Sequence, residues 1–292
     1  MTHKALIVRK PTNLEQHQAL EATHRVKSPV DDGYQHFLEK AHEEHLHSLE
    51  VLRDTLRLYK IDFQEVKAGD EKPDSTFDCV IALGGDGTLI TSSYYINDQT
   101  PLIGIRSSSA SVGFLCAGDH KHIPSIIDAY QSNQLRYTQR HRLQAHVHKR
   151  DGTQVSSSIS ALNDILFAAV SPAATTRYKI CFLDRIETHK SSGIWISTAT
   201  GSTAAIGAAG GTFMGPADRH LQFLVRELYQ KSEEGLLLTQ GFSNPTSDSF
   251  WIESQSPEAI LALDGEKLIM KVGFGERISF TLASPVRVAN PF

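Results

Sequence analysis

Residues 79 to 88 read Cys-Val-Ile-Ala-Leu-Gly-Gly-Asp-Gly-Thr. An apolar run that stops at three glycines wrapped round one aspartate reads as a buried strand running into a loop that hugs a ligand. Asp86 stands at its tip. Glycine permits positive φ and close backbone approach, and Thr88 with the following Leu-Ile-Thr-Ser-Ser opens a helix whose free N–H groups point back toward that ligand. Phosphate suits such a loop. Read alone, the same residues also suit a tight turn with an exposed carboxylate.

Working outward, Ala5 to Val8 form a first buried strand, which Arg9-Lys10-Pro11-Thr12 breaks into a polar loop. From Tyr34 to Tyr59 the apolar positions Leu38, Ala41, Leu49, Leu52, Leu56 and Tyr59 recur at helical spacing, with Asp31 and Asp32 as caps. His42 and His45 share a face of this helix, but they match no metal motif and read as part of its solvated side. Phe63 to Val66 is a second strand. After the glycine loop a helix from about Thr88 to Ile96 leads to the strand Pro101 to Ile105. The small-residue loop 106–113 then leaves the carboxyl end of that strand, where open parallel sheets place ligands, so it and the Asp86 loop are expected to share a pocket.

Beyond the helix His122 to Tyr130 the period changes to two. Leu143, Ala145 and Val147 alternate up to Asp151-Gly152, and Val155, Ser157, Ile159 and Ala161 alternate after it, a hairpin pattern. Further strands are expected at Tyr178–Leu183, Gly193–Ser197, Leu236–Gln240 and Phe250–Glu253, and around the Asp264-Gly265 turn. Leu221–Tyr229 reads as a short amphipathic helix, and Ile278–Leu282 and Val286–Val288 as closing strands. The expected fold class is α/β. An N-terminal Rossmann-like α/β domain covers 1–130, with 275–292 able to return to it, and a β-rich, sandwich-like domain covers 131–274.

A length of 292 residues suits two domains, each with its own core. A formal charge of −4 and a pI near 6.4 give no electrostatic case for nucleic acid or an anionic membrane. Cys79, Cys116 and Cys181 lie in apolar surroundings without a Cys-x-x-Cys pair, as in a reducing cytoplasm. No apolar stretch approaches membrane-spanning length. A cytoplasmic protein is the expectation.

Residues 197 to 211, Ser-Thr-Ala-Thr-Gly-Ser-Thr-Ala-Ala-Ile-Gly-Ala-Ala-Gly-Gly, let backbone amides and hydroxyls converge on a polar ligand, or else form a small-residue packing helix. Upstream, Ala161-Leu162-Asn163-Asp164 ends a strand with an amide beside a carboxylate, a pair able to read a base edge or a ribose hydroxyl, or to make a turn.

Taken together these stretches resemble the NAD kinase family, in which a Gly-Gly-Asp-Gly-Thr loop, an Asn-Glu pair and a Thr-Gly-Ser/Thr-Thr-Ala segment follow in that order. Here they stand as Gly84 to Thr88, Asn163-Asp164 and Thr200 to Ala204. The first motif is shared with diacylglycerol, sphingosine and 6-phosphofructo-kinases; all three in order are specific. The resemblance implies Mg²⁺-assisted transfer of a phosphoryl group from ATP, or another polyphosphate, to the 2′-hydroxyl of NAD's adenosine ribose, giving NADP. It implies Asp86 as the catalytic aspartate and Gly84, Gly85, Gly87 and Thr88 as phosphate ligands. Asn163 and Asp164 would grip the adenosine, and Thr200, Gly201, Ser202, Thr203, Ala204 and Ala205 would line the dinucleotide. It further implies a homo-oligomer, dimer or tetramer. An ordinary aspartate, pKa near 3.9, is too weak a base for early removal of a ribose proton, so Asp86 would orient the hydroxyl and accept its proton late.

The chain departs from the family pattern at several positions. Ala205 stands where the family has a stacking tyrosine, and Lys190-Ser191-Ser192-Gly193 where it commonly has Arg-Gly-Asp-Gly, closer to the mitochondrial branch. Arg106 opens the loop that replaces the family's Asn-Thr-Gly; it is a candidate phosphate contact or a solvated arginine. Asp264-Gly265 lies where the family has an Asp-Gly turn near the site, and reads as a hairpin turn first and a ligand contact second. The alternatives are a kinase of the same architecture acting on a lipid, sugar or other nucleoside, and a catalytically weak dinucleotide sensor.

Overall fold

The computed structural model describes residues 3–24, 31–96, 99–229 and 235–292. The chain divides into two units, Met1–Thr138 with Val286–Phe292, and Gln139–Pro285.

The first unit is an α/β layer. Strand β1 (Lys4–Arg9) leads through helix α1 (Asn13–His24) to α2 (Asp32–Leu58), β2 (Asp62–Lys67) and β3 (Cys79–Gly84); α3 (Asp86–Ser93), β4 (Leu102–Arg106), the short β5 (Gly118–Asp119) and α4 (Ile123–Gln131) follow. The parallel order is β2-β1-β3-β4, with β5 beside β4 and Val288 paired to Leu102 on the same edge. The strand-helix-strand expectation and the return of C-terminal residues therefore both appear. Buried on both faces, β3 carries a continuous apolar run rather than an alternation.

Helix α2 begins where Asp31 accepts a hydrogen bond from Gly33 N, as its cap was read. Leu52 and Leu56 are fully buried against the sheet, each contributing about 1.5–3 kcal/mol of apolar burial. The expectation fails for His45, which is 1% exposed. Helical spacing places it one turn before Leu49, on the face that meets the sheet. Helix α1 went unread, because its Leu-Glu-Gln-His-Gln-Ala sequence has little apolar periodicity.

The second unit is a sandwich. Its strands are β6 (Tyr137–His148), β7 (Gln154–Ser156), β8 (Asp164–Ala169), β9 (Thr176–Phe182), β10 (Arg185–Ser191), β11 (Gly193–Ser197), β12 (Leu221–Arg226), β13 (Gln240–Ser243), β14 (Phe250–Ser254), β15 (Glu258–Leu263), β16 (Leu268–Gly273) and β17 (Arg277–Ala289). One antiparallel sheet runs β13-β12-β11-β8-β15-β16, and a second contains β10-β9-β14-β17. Phe167, Ile196, Phe223 and Leu261 of the first pack with Tyr178, Ile180, Ile252 and Phe280 of the second in one core. The hairpin around Asp151-Gly152 is present, with Val147 opposite Val155.

Three local expectations are corrected. Leu221–Arg226 is a central strand, not a helix: Leu221 and Phe223 point into the core while Gln222 bonds both backbone groups of Thr212. Pairing on both sides overrides a short helical pattern. Leu236–Leu238 is not strand; the N–H groups of Leu237 and Leu238 donate to the Glu187 carboxylate instead. Asp164 starts β8 rather than ending a strand, because the apolar run after it, Ile-Leu-Phe-Ala-Ala, is the central strand itself.

Candidate active site

The Asp86 loop follows β3 at the carboxyl edge of the first unit's sheet. Gly85 caps α3 with φ −125°, and none of Gly84, Gly85 and Gly87 has positive φ. Space, not handedness, demands the first two glycines. A Cβ on Gly84 would lie 2.1 Å from Thr88 Oγ1, and one on Gly85 2.5 Å from Val112 O. At Gly87 a Cβ would meet nothing within 4 Å. The buried Thr88 side chain thus fills the hollow under Gly84.

Asp86 is anchored to the neighbouring loop. Its N–H donates to Val112 O at 2.9 Å, and its carboxylate accepts N–H groups of Phe114 at 3.2 Å and Leu115 at 2.9 Å. Ser107 N donates to Gly84 O at 3.0 Å. The two loops expected to leave one sheet edge are therefore joined directly. A carboxylate has about four lone-pair positions, so two amides fix Asp86 without saturating it. The Thr88 N–H is taken by Gly85 O, whereas the Gly87 N–H has no acceptor among the described residues.

Arg106 lies against Gly113, whose Cβ would stand 3.0 Å from Arg106 Cδ, and its guanidinium reaches Asp119 at 3.5 Å. It borders a cleft of about 480 Å³ that also bears Glu43, Glu44, His47 and Lys121. On the other side of the loop, His45 Nδ1 is 2.8 Å from Ser107 Oγ, and His42 Nδ1 is 2.8 Å from Thr12 Oγ1. Burial pushes the His45 pKa down to about 4 and lowers that of Lys10. Sequence reading missed both residues; the signal for His45 was its register with Leu38, Leu49 and Leu52 on the buried face.

In the second unit the pieces converge on Asp264. Its carboxylate accepts N–H groups from Leu162 (2.8 Å), Asn163 (2.8 Å) and Asp164 (3.1 Å), and its own N–H donates to Asp164 O at 2.9 Å. Asp264 and Gly265 have φ of +46° and +78°, as their turn requires. Asp264 therefore builds the Asn163-Asp164 loop. Thr198 holds the same loop from the other side: its N–H donates to Asn163 O at 2.9 Å and its hydroxyl to Leu162 O at 2.6 Å. A Cβ on Gly201 would lie 2.2 Å from Asn163 O, so the third motif packs directly on the second.

Of the hydroxyls in Thr200 to Thr203, Ser202 donates to Ala199 O, and Thr200 Oγ1 accepts from Arg140 at 3.4 Å. Both are buried, whereas Thr203 is exposed. Ala204 caps the single turn Ala205–Ala208 (α5). Most of these hydroxyls serve the fold rather than converging outward. The Asn163 side chain makes no hydrogen bond among the described residues. Asp164 is 4% exposed, and burial, reinforced by Asp264, pushes its pKa up to about 7.

Tyr178 is fully buried with its hydroxyl on Ser191, and the Arg226 guanidinium stands 5.6 Å from the centre of the partly buried Trp195 ring. All three cysteines are buried free thiols. Among the described residues no group of three or more His, Cys, Asp or Glu could hold a metal, and no helix is long and apolar enough to cross a membrane.

Residues 6–135 match the model of the ATP-NAD kinase N-terminal domain. An NADH kinase of Arabidopsis thaliana is 28% identical across 97% of this chain and 94% of its own length. A probable NADH kinase of Oryza sativa subsp. japonica is 26% identical, covering 83% of this chain and 80% of the relative. Among solved structures, yeast NADH kinase complexed with NADH superimposes with a TM-score of 0.74 at 15% identity, over 100% of this chain and 84% of that one. An NAD kinase from Archaeoglobus fulgidus in complex with ATP gives 0.66 at 14% identity, over 98% and 92%. These two likenesses speak for the fold. The domain match, the near full-length relatives and the three motifs in their order make the chain similar to the NAD kinase family.

Proposed function

We propose that this protein transfers the γ-phosphoryl group of ATP to the 2′-hydroxyl of the adenosine ribose of NAD(H), forming NADP(H). The observation that carries the reading is the placement of Asp86: a carboxylate held by two backbone amides at the start of α3, with lone pairs left for a hydroxyl. Phosphoryl transfer through a loose transition state asks the protein for position and charge rather than a strong base. Asp86 aligns the ribose hydroxyl and takes its proton late. Gly84 and Gly85 keep the loop tight, and the unclaimed Gly87 N–H at the helix start is the donor best suited to a phosphoryl oxygen. Thr88 supports the loop from beneath, and Arg106 adds positive charge at the neighbouring strand end.

Asn163, its amide unpaired among the described residues, and Asp164 read the adenosine, while Thr200 to Ala205 form the wall. Asp264 acts through them by fixing their loop. Plant relatives named NADH kinase support the reduced dinucleotide as an acceptor, and they do not favour a lipid or sugar. Mg²⁺ enters as part of the donor's metal–nucleotide complex, which needs few protein carboxylates. The chain works as a homo-oligomer in the cytoplasm, a state that light scattering and fractionation test.

The decisive assay mixes protein, Mg-ATP and NAD or NADH and follows NADP(H) with a coupled dehydrogenase. Asp86→Asn keeps dinucleotide binding and loses most turnover. Near wild-type turnover in that variant would remove Asp86 from the centre, and no NADP(H) from the wild type would sink the proposal.

A further inference from the structure

Among the described residues, the Asp86 carboxylate takes its direction from one stretch of chain. Its oxygens accept the N–H groups of Phe114 and Leu115, and its own N–H donates to Val112 O. Whatever holds Val112 to Leu115 therefore aims Asp86. The loop that begins at Arg106 is also where the chain departs from the family pattern, so its support comes from residues particular to this chain.

Both ends of the stretch are tied to the sheet. Ser107 N donates to Gly84 O at 3.0 Å, and Ala117 N to Gly104 O at 2.8 Å. Helix α2 doubles the first tie: Ser48 Oγ donates to Ser107 O, and His45 Nδ1 meets Ser107 Oγ, both at 2.8 Å. The crest, Ser108 to Val112, is held differently. It contains a single turn, Ser111 N to Ser108 O at 3.1 Å, with the hydroxyls of the same two residues 3.1 Å apart. Ser109, Ala110 and Val112 are exposed, so apolar burial does little to fix them. Among the described residues one side chain from outside the loop bonds to the crest. Glu44, one helical turn before Ser48 on the same face of α2, accepts Ser109 N–H at 2.6 Å and the Ser109 hydroxyl at 2.9 Å. A hydrogen bond to a carboxylate is about twice as strong as a neutral one, and the Ser109 N–H in turn lowers the Glu44 pKa, which keeps the acceptor ionised.

We propose that Glu44 is a positioning residue for phosphoryl transfer: by holding the crest at Ser109 it sets Val112, Phe114 and Leu115, and through them the direction of the Asp86 carboxylate. The kinetic consequence rests on the phosphoryl-transfer reading above; the mechanical link from Glu44 to Asp86 does not.

The test uses the full chain with Glu44→Ala, Glu44→Gln, Asp86→Asn and the double variant Glu44→Ala with Asp86→Asn, each checked for a cooperative melt. Losing a bond to a charged group predicts that Glu44→Ala lowers kcat about tenfold or more, with KM for ATP and for NAD(H) within about twofold. Glu44→Gln keeps an acceptor for Ser109 N–H and recovers most of that loss. In the Asp86→Asn background, Glu44→Ala changes the residual turnover by less than about twofold, because the group it aims is gone. Hydrogen exchange of the Phe114 and Leu115 amides speeds up about tenfold or more in Glu44→Ala, while that of the β3 amides stays as in the wild type. An unchanged kcat, a change confined to the KM for ATP, or equal losses in the two backgrounds would overturn the positioning role. If the wild type forms no NADP(H), the kinase reading fails, while hydrogen exchange still decides the link: Phe114 and Leu115 amides indifferent to Glu44→Ala would overturn it.

Discussion

Replacing Asp164 by Asn should stabilise the protein at pH 8 and do so far less at pH 4. The Asp164 carboxyl is 4% exposed and faces the Asp264 charge, so burial first and Asp264 second raise its pKa from 3.8 to about 7. Because the folded state holds the proton up to about pH 7 and the unfolded chain releases it near 3.8, stability is fully present below 3.8 and is lost as pH rises through 7. At about 1.4 kcal/mol per pH unit, ionised Asp164 burdens the fold by about 4 kcal/mol above that range. Asparagine keeps the shape and cannot ionise. Urea unfolding of wild type and Asp164→Asn at pH 4, 6 and 8 reads the difference directly. The advantage of the variant grows with pH and levels off above about 7. A difference that does not change with pH would refute the reasoning. Removing Asp264's charge should pull the Asp164 titration down, which carboxyl NMR shifts would follow.

Other expectations follow from single contacts. The depressed pKa of His45, from 6.5 to about 4, gives stability that is present above 6.5 and lost as pH falls through 4; about 3 kcal/mol is at stake, and urea midpoints of wild type against His45→Leu between pH 7 and 4 measure it. Gly85→Ala forces a Cβ to 2.5 Å from Val112 O, so it should cost about 1–3 kcal/mol and displace Asp86, whereas Gly87→Ala, with nothing within 4 Å, should change the melting temperature little. Asp264→Ala strips the acceptor from three backbone N–H groups and should cost about 2–5 kcal/mol, with dinucleotide affinity falling as well. Cys79 and Cys116, buried and with pKa pushed up to about 12, should react with a thiol reagent only on unfolding.

Much of the first unit was legible because its signals are local. Five apolar residues followed by Gly-Gly-Asp-Gly can hardly be other than a buried strand entering a tight loop, and Asp31 before a 27-residue periodic stretch marks its own helix start. The Asp151-Gly152 and Asp264-Gly265 turns announce themselves through residues that tolerate positive φ. The order of the three motifs needed no coordinates either. Where the reading failed, the deciding contact was distant in sequence. Leu221–Arg226 is a strand because two neighbours pair with it, and His45 is buried because Ser107, 62 residues away, meets its ring.

The sequence by itself thus determined the two-part α/β and β-rich architecture, the likeness to NAD kinases, and the residues of the glycine loop. It could not say why those glycines are there. Positive φ was the local expectation, and the folded chain shows instead that Gly84 and Gly85 make room for Thr88 and Val112. Nor could it assign Asp264, which holds the Asn163-Asp164 loop from 100 residues downstream. Backbone preferences are written in neighbouring residues, whereas space and hydrogen-bond demand arise only when distant segments are pressed together; that is why the parts of this site were readable and the reasons for them were not.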